Sequence, residues 1–144
     1  MAKIEDFEFP DDLFYDAKEH LWLKPATGGL ITAGIDAGGQ NALGDVVYVQ
    51  LTPAGRRVAP GEAIGSVEAE KMVRPLLAPV AGMLREVNPA VVAAPRLVNS
   101  DPYGAAWLFR IEADDWDLQR GRFLHGHEAV AVWVKAELAA HGRT

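Results

Sequence analysis

Cysteine is absent from the 144 residues, which removes disulfides, thiolate metal sites and cysteine nucleophiles and points to a reducing, cytoplasmic setting. Serine is nearly as scarce. Ser66 and Ser100 are the only two, and neither sits in a G-x-S-x-G elbow. No apolar run approaches the roughly 18 residues of a transmembrane helix, so no membrane span is expected. The opening Met1-Ala2-Lys3-Ile4-Glu5-Asp6 has no basic-then-apolar stretch and does not read as a secretory signal. Neither GxGxxG nor GxxxxGK[ST] occurs, so neither phosphate cradle is indicated. A basic stripe is also missing. Net charge is −6, concentrated in residues 1–20, where seven acids face only Lys3 and Lys18, and this argues against nucleic acid as a partner. Among the four histidines, His125 and His127 are the closest thing to a metal motif. Their i, i+2 spacing points the rings apart, and no ligand cluster accompanies them, so no metal is expected.

What remains is the composition of an ordinary globular domain, 49% hydrophobic and 24% charged, long enough to bury a core unaided. Eight of the nine prolines fall between Pro25 and Pro102. Between the breaks lie short β-branched or aromatic runs at 29–35, 45–51, 82–87 and 107–111, each bounded by turn formers. Such spacing predicts a mainly β sandwich or barrel. Asp36 to Leu43 reads as a short helix with Asp36 as N-cap. Beyond Ile111 the prolines stop, and Val130, Trp133, Val134 and Leu138 form one apolar stripe. That predicts an amphipathic helix over about 124–139, burying Val130, Trp133 and Val134, with the last residues fraying. The acidic residues of 1–12 read as a solvated arm.

The informative stretch runs from Gly65 to Gly82. Glu68-Ala69-Glu70-Lys71-Met72 contains good helix formers, with Lys71 as a plain surface lysine in that reading. Pro75 would stop such a helix within a turn, and both flanks are strand-like. A hairpin with Glu70 and Lys71 near its exposed tip, and Gly65 and Gly82 at turns, is the better expectation. It offers the lysine to a modifying enzyme.

These residues resemble a known family. Glu68-Ala69-Glu70-Lys71-Met72, followed by Gly82 eleven positions after the lysine, is similar to the attachment hairpin of lipoyl and biotinyl domains. Glu70 before the lysine resembles lipoyl domains, where biotinyl domains typically carry methionine on both sides. The wider likeness is to the H protein family of the glycine cleavage system. It is carried by Lys18-Glu19-His20-Leu21-Trp22, by Ile35 with Ala42-Leu43-Gly44-Asp45-Val46-Val47-Tyr48-Val49, and by Asn99-Ser100-Asp101-Pro102-Tyr103-Gly104-Ala105-Ala106-Trp107-Leu108. The resemblance implies a barrel-sandwich hybrid fold and a carrier rather than an enzyme, with lipoate amide-linked to Lys71. It divides the chain into an acidic arm (1–12), an H-protein-like lipoyl domain (13–112) and a C-terminal helical extension (113–144).

Two positions depart from the family pattern. An acid usually stands where Leu21 lies between His20 and Trp22, and a second where Pro75 lies, four residues after Lys71. In the family these acids help hold an aminomethyl-loaded arm. Leu21, Pro75 and the adjacent Arg74 therefore mark the arm and cargo environment, and an arginine suits an anionic cargo better than an amine. A related subgroup resembling H proteins serves bacterial sulfur oxidation beside a heterodisulfide-reductase-like complex. That favours a sulfur cargo, with glycine cleavage as the alternative and a biotinyl or cofactor-free binding module as a third. A lipoate attachment enzyme is an implied partner in both carrier readings.

Overall fold

The computed structural model describes the backbone of residues 2–4 and 7–140 and the side chains of residues 8–137. In chain order the elements are β1 (Ala2–Ile4), β2 (Phe7–Phe9), β3 (Phe14–Asp16), β4 (Leu21–Pro25), β5 (Leu30–Ile35), α1 (Ala37–Leu43), β6 (Val46–Leu51) and β7 (Arg56–Val58), then β8 (Ala63–Ala69), β9 (Val73–Leu77), β10 (Gly82–Val87), α2 (Pro89–Ala93), α3 (Leu97–Ser100), β11 (Phe109–Ala113), α4 (Trp116–Gln119), β12 (Leu124–His125) and α5 (His127–Ala140). Two antiparallel sheets carry the fold, ordered β12-β3-β4-β5-β11-β10-β7 and β6-β8-β9, and β1 pairs with β2 separately. This is the mainly β barrel-sandwich expected, with its C-terminal helix.

Alternation along β4 shows how the two apolar layers arise. Leu21 and Leu23 join the main core between the sheets, with Ile31, Ile35, Leu43, Val67, Leu76, Leu84 and Leu108. Trp22, facing the other way, enters a second cluster of Phe9, Leu13, Tyr15, Val130 and Val134. The long helix therefore covers the outside of the seven-stranded sheet. The helix expected over 124–139 begins at His127, because Leu124 and His125 pair with Tyr15 and Phe14 as a strand and Gly126 takes a φ of 98°. Val130 and Val134 are buried, while Trp133 is only partly so, its ring 5.8 Å from that of Phe9. Leu138 contributes a side chain that lies outside the described residues, as do all of residues 141–144.

The segment expected as a solvated arm pairs as a hairpin instead and buries Phe9 against Tyr15 and Trp133. Its acids Glu5 and Asp6 lie outside the described residues. The run expected at 107–111 begins as a strand only at Phe109. Gly65 and Gly82 are not at turns. Both lie within paired strands, where a Cβ would press on the carbonyls of Gln50 and Glu112, so the lack of a side chain serves close backbone approach. No described helix is long and apolar enough to cross a membrane.

Candidate functional site: the Lys71 hairpin

Strands β8 and β9 run antiparallel, with Glu68 opposite Val73 and Val67 opposite Arg74. The Ala69 N–H donates to the Met72 carbonyl at 2.9 Å and closes the turn with Glu70 and Lys71 at its centre. Lys71 is exposed, as the hairpin reading required, and Met72 is exposed beside it. The tip does not hang free. The Glu70 N–H donates to the Asp45 carbonyl at 2.9 Å, and the Asp45 N–H returns a bond to Glu70 Oε1 at 3.2 Å. The Lys71 N–H donates to the Leu43 carbonyl at 3.2 Å, and its Nζ lies 3.5 Å from the Asn41 carbonyl. Gly44, with a φ of 77°, leaves room for the Glu70 side chain, which a Cβ there would meet at 2.5 Å. The tip is thus seated on the C-terminal end of α1, with its amine accessible.

The late motif supplies three ties to this region. Asn99 accepts from the Val46 N–H and donates to the Gly44 carbonyl, both at 2.8 Å, clamping the residues beside Glu70. The Pro102 carbonyl accepts the Trp22 indole N–H at 2.8 Å, and the Tyr103 hydroxyl accepts the Ala37 N–H at 2.9 Å. Burial pushes the Tyr15 and Tyr103 phenols up, so both stay protonated.

At the other end of α1, Asp36 is 0% exposed and caps the helix by accepting the Gly39 N–H at 2.8 Å. The same Oδ1 lies 3.1 Å from His20 Nδ1, and among the described residues no donor reaches Oδ2. His20 Nε2 is 3.7 Å from Glu137 on α5, and the ring packs 5.1 Å from that of Trp133. Burial pulls the His20 imidazolium down, but the bond and charge of Asp36, joined by Glu137, outweigh it against the opposing Arg74 and raise the pKa.

The predicted residues separate by face. Residues paired across strands share a face, so Arg74, opposite buried Val67, points inward at the edge of its sheet, where its charge reaches His20. Pro75 takes the opposite, exposed face, opposite Ser66. Glu68 lies on that outer face between Tyr48 and Val73, which are 51% and 66% exposed. Leu21 is 1% exposed and belongs to the main core, so it offers no surface to a cargo. Sequence reasoning missed Asp36 as an electrostatic partner, together with Asn99 and Glu137. The motifs containing His20 and Asn99 were the available signal, but their contacts run from 16 positions apart to more than a hundred. His125 Nδ1 lies 3.0 Å from the Leu13 carbonyl and His127 Nδ1 3.4 Å from Asp11, and no metal-binding group forms among the described residues.

Known proteins resemble this chain over most of its length. A family profile described as Glycine cleavage H-protein matches residues 13–136. The glycine cleavage system H protein of Mycobacterium tuberculosis (strain ATCC 25618 / H37Rv) is 46% identical over 111 residues, covering 77% of this chain and 82% of that protein. The protein of the same name from Beutenbergia cavernae is 50% identical over 103 residues, covering 72% and 82%. A crystal structure of a glycine cleavage system H protein from Mycobacterium marinum superposes with a TM-score of 0.74 at 36% identity, covering 86% of this chain and 98% of that one. The hairpin, its seat on α1 and the ordered motifs around them accordingly have one explanation: the chain belongs to the glycine cleavage H-protein family, whose members are lipoyl carriers rather than enzymes.

Proposed function

We propose that this chain is a lipoyl carrier that takes lipoate as an amide on Lys71 and serves glycine cleavage. The observation that carries the reading is Lys71 itself, exposed at the centre of a tight turn whose backbone is bonded to Leu43 and Asp45. The residues fit the group. Among the described residues the amine reaches the Asn41 carbonyl, and no described side chain encloses it. When bound, lipoate supplies a disulfide that opens to a dithiol and exchanges thiol-linked cargo. The protein supplies position: Glu70 and Asp45 brace the tip, Glu68 and Met72 flank it, and Arg74 turns inward. Tethering the reactive sulfurs near a docked enzyme raises their effective concentration. Residues 13–112 form the carrier domain in this reading, with the segments on either side packed against it. A lipoate attachment enzyme and the glycine cleavage enzymes are the partners, in the cytoplasm.

Glycine cleavage is favoured by the names of the relatives described above. The sulfur-cargo expectation rested on Leu21, Arg74 and Pro75, and those relatives lend it no support. The test is isotope exchange: lipoylated protein is incubated with glycine decarboxylase, glycine and labelled bicarbonate. Label should enter glycine in proportion to the lipoylated protein added. Exchange no faster than with unlipoylated protein contradicts the glycine assignment.

A further inference from the structure

Helix α1 joins two features that no motif connects. Its C-terminal end holds the tip, through the Leu43 and Asn41 carbonyls that accept from Lys71. Its N-terminal end is held by Asp36, whose Oδ1 is shared between the Gly39 N–H and His20. The backbone repeats the tie, because the Asp36 N–H donates to the His20 carbonyl at 2.9 Å. His20 also has a φ of 55°, the left-handed region, and no other non-glycine residue described does so. Such strain persists only where the surroundings hold it. Here it aims the ring at a fully buried carboxylate. Seven residues of helix, about 10 Å long, thus separate His20 from the modified turn.

We propose that His20 is a positioning residue for the modification of Lys71, acting through Asp36 and helix α1. The inference rests on the attachment reading above. Acylation joins the neutral Lys71 amine nitrogen to the lipoyl carbonyl carbon of an ATP-activated lipoyl adenylate, releasing AMP and one proton. An enzyme performing that step needs the turn in one place, and α1 supplies the seat. A charged His20 neutralises the buried Asp36 and draws in Glu137 of α5, fixing the cap end of the helix. The groups facing the imidazole are Asp36 at the β5–α1 junction, Glu137 and Trp133 on α5, and Arg74 on β9, while Tyr103 faces Asp36 from the late motif. The two carboxylates hold the proton on His20, and Arg74 opposes them.

The test compares wild type with His20→Asn, since asparagine tolerates the left-handed backbone but carries no charge. A lipoate–protein ligase, lipoate and ATP are the probes, and initial acylation rates are measured from pH 5.5 to 9. Taking the variant-to-wild-type ratio at each pH cancels the ligase's own dependence. Wild type should be faster on the order of tenfold at the acid end, with the ratio approaching one as His20 loses its proton. A second reading needs no enzyme: the amide NMR shifts of Glu70 and Lys71 should titrate with the His20 ring in wild type and be flat in His20→Asn. Equal rates, a pH-independent deficit, or tip amides that ignore the His20 titration would overturn the proposal. Wild type that is never acylated, with tip amides still following His20, would instead locate the failure in the attachment reading.

Discussion

Lys71 shares its side chain with Lys18, Lys24 and Lys135, which are also exposed. What distinguishes it is the backbone around it, bonded on both sides to Leu43 and Asp45, so the amine leaves the surface from a fixed origin. Leu21 is the opposite case. The family pattern places an acid there, yet the leucine is sealed in the main core. Leu21→Ala should therefore cost about 2–5 kcal/mol in chemical denaturation, as buried leucine truncations do, and leave the rate of Lys71 acylation unchanged. A slower rate with unchanged stability would mean that Leu21 touches the arm after all. Asn99 combines both kinds of role. Its amide bonds the backbone on either side of Asp45, so Asn99→Ala leaves one buried N–H and one carbonyl without their partner. That should cost about 2 kcal/mol and lower the melting temperature by roughly 4–8 °C, which thermal unfolding measures directly.

Among the elements, the hairpin and α1 were legible in the sequence because their signals are local. Pro75 stops a helix, Asp36 caps one, and Glu70–Lys71 lie between two strand-like runs. The start of α5 was not, since residues 124–125 become a strand only by pairing with β3, more than a hundred positions away. Gly65 and Gly82 were misplaced for the same reason: the carbonyls that exclude a Cβ belong to other strands. The docking of α5 is also where pH should act. His20 is raised above its ordinary 6.5, so its contribution is complete below 6.5 and is lost as pH rises through the folded value. The stability difference between wild type and His20→Asn should accordingly shrink with rising pH across that window in urea titrations. A difference that grows with pH would show that the imidazole is held neutral.

At the scale of the whole molecule, two apolar layers back one face each of the seven-stranded sheet, and Trp22 with its indole bond to Pro102 joins the sheet to the late motif. The fold class was readable because many short strands bounded by turns have few ways to bury their apolar faces. The second layer was half readable: the stripe of α5 was evident, but Phe9 was taken for part of a solvated arm. Acids surround Phe9 in the sequence, and only the fold shows Tyr15 and Trp133 beside it. The exposed hairpin position of Lys71 was readable, whereas the contacts of Asp36, Asn99 and Glu137 were not, because they cross elements. The proposed function rests on one lysine, and intact-mass measurement tests that most directly. Wild type and Lys71→Arg are each incubated with a lipoate–protein ligase, lipoate and ATP. Attachment at Lys71 predicts one lipoyl increment on wild type, mapped to the peptide containing Lys71, and none on the variant. An unmodified wild type, or an increment that survives in Lys71→Arg, would contradict it.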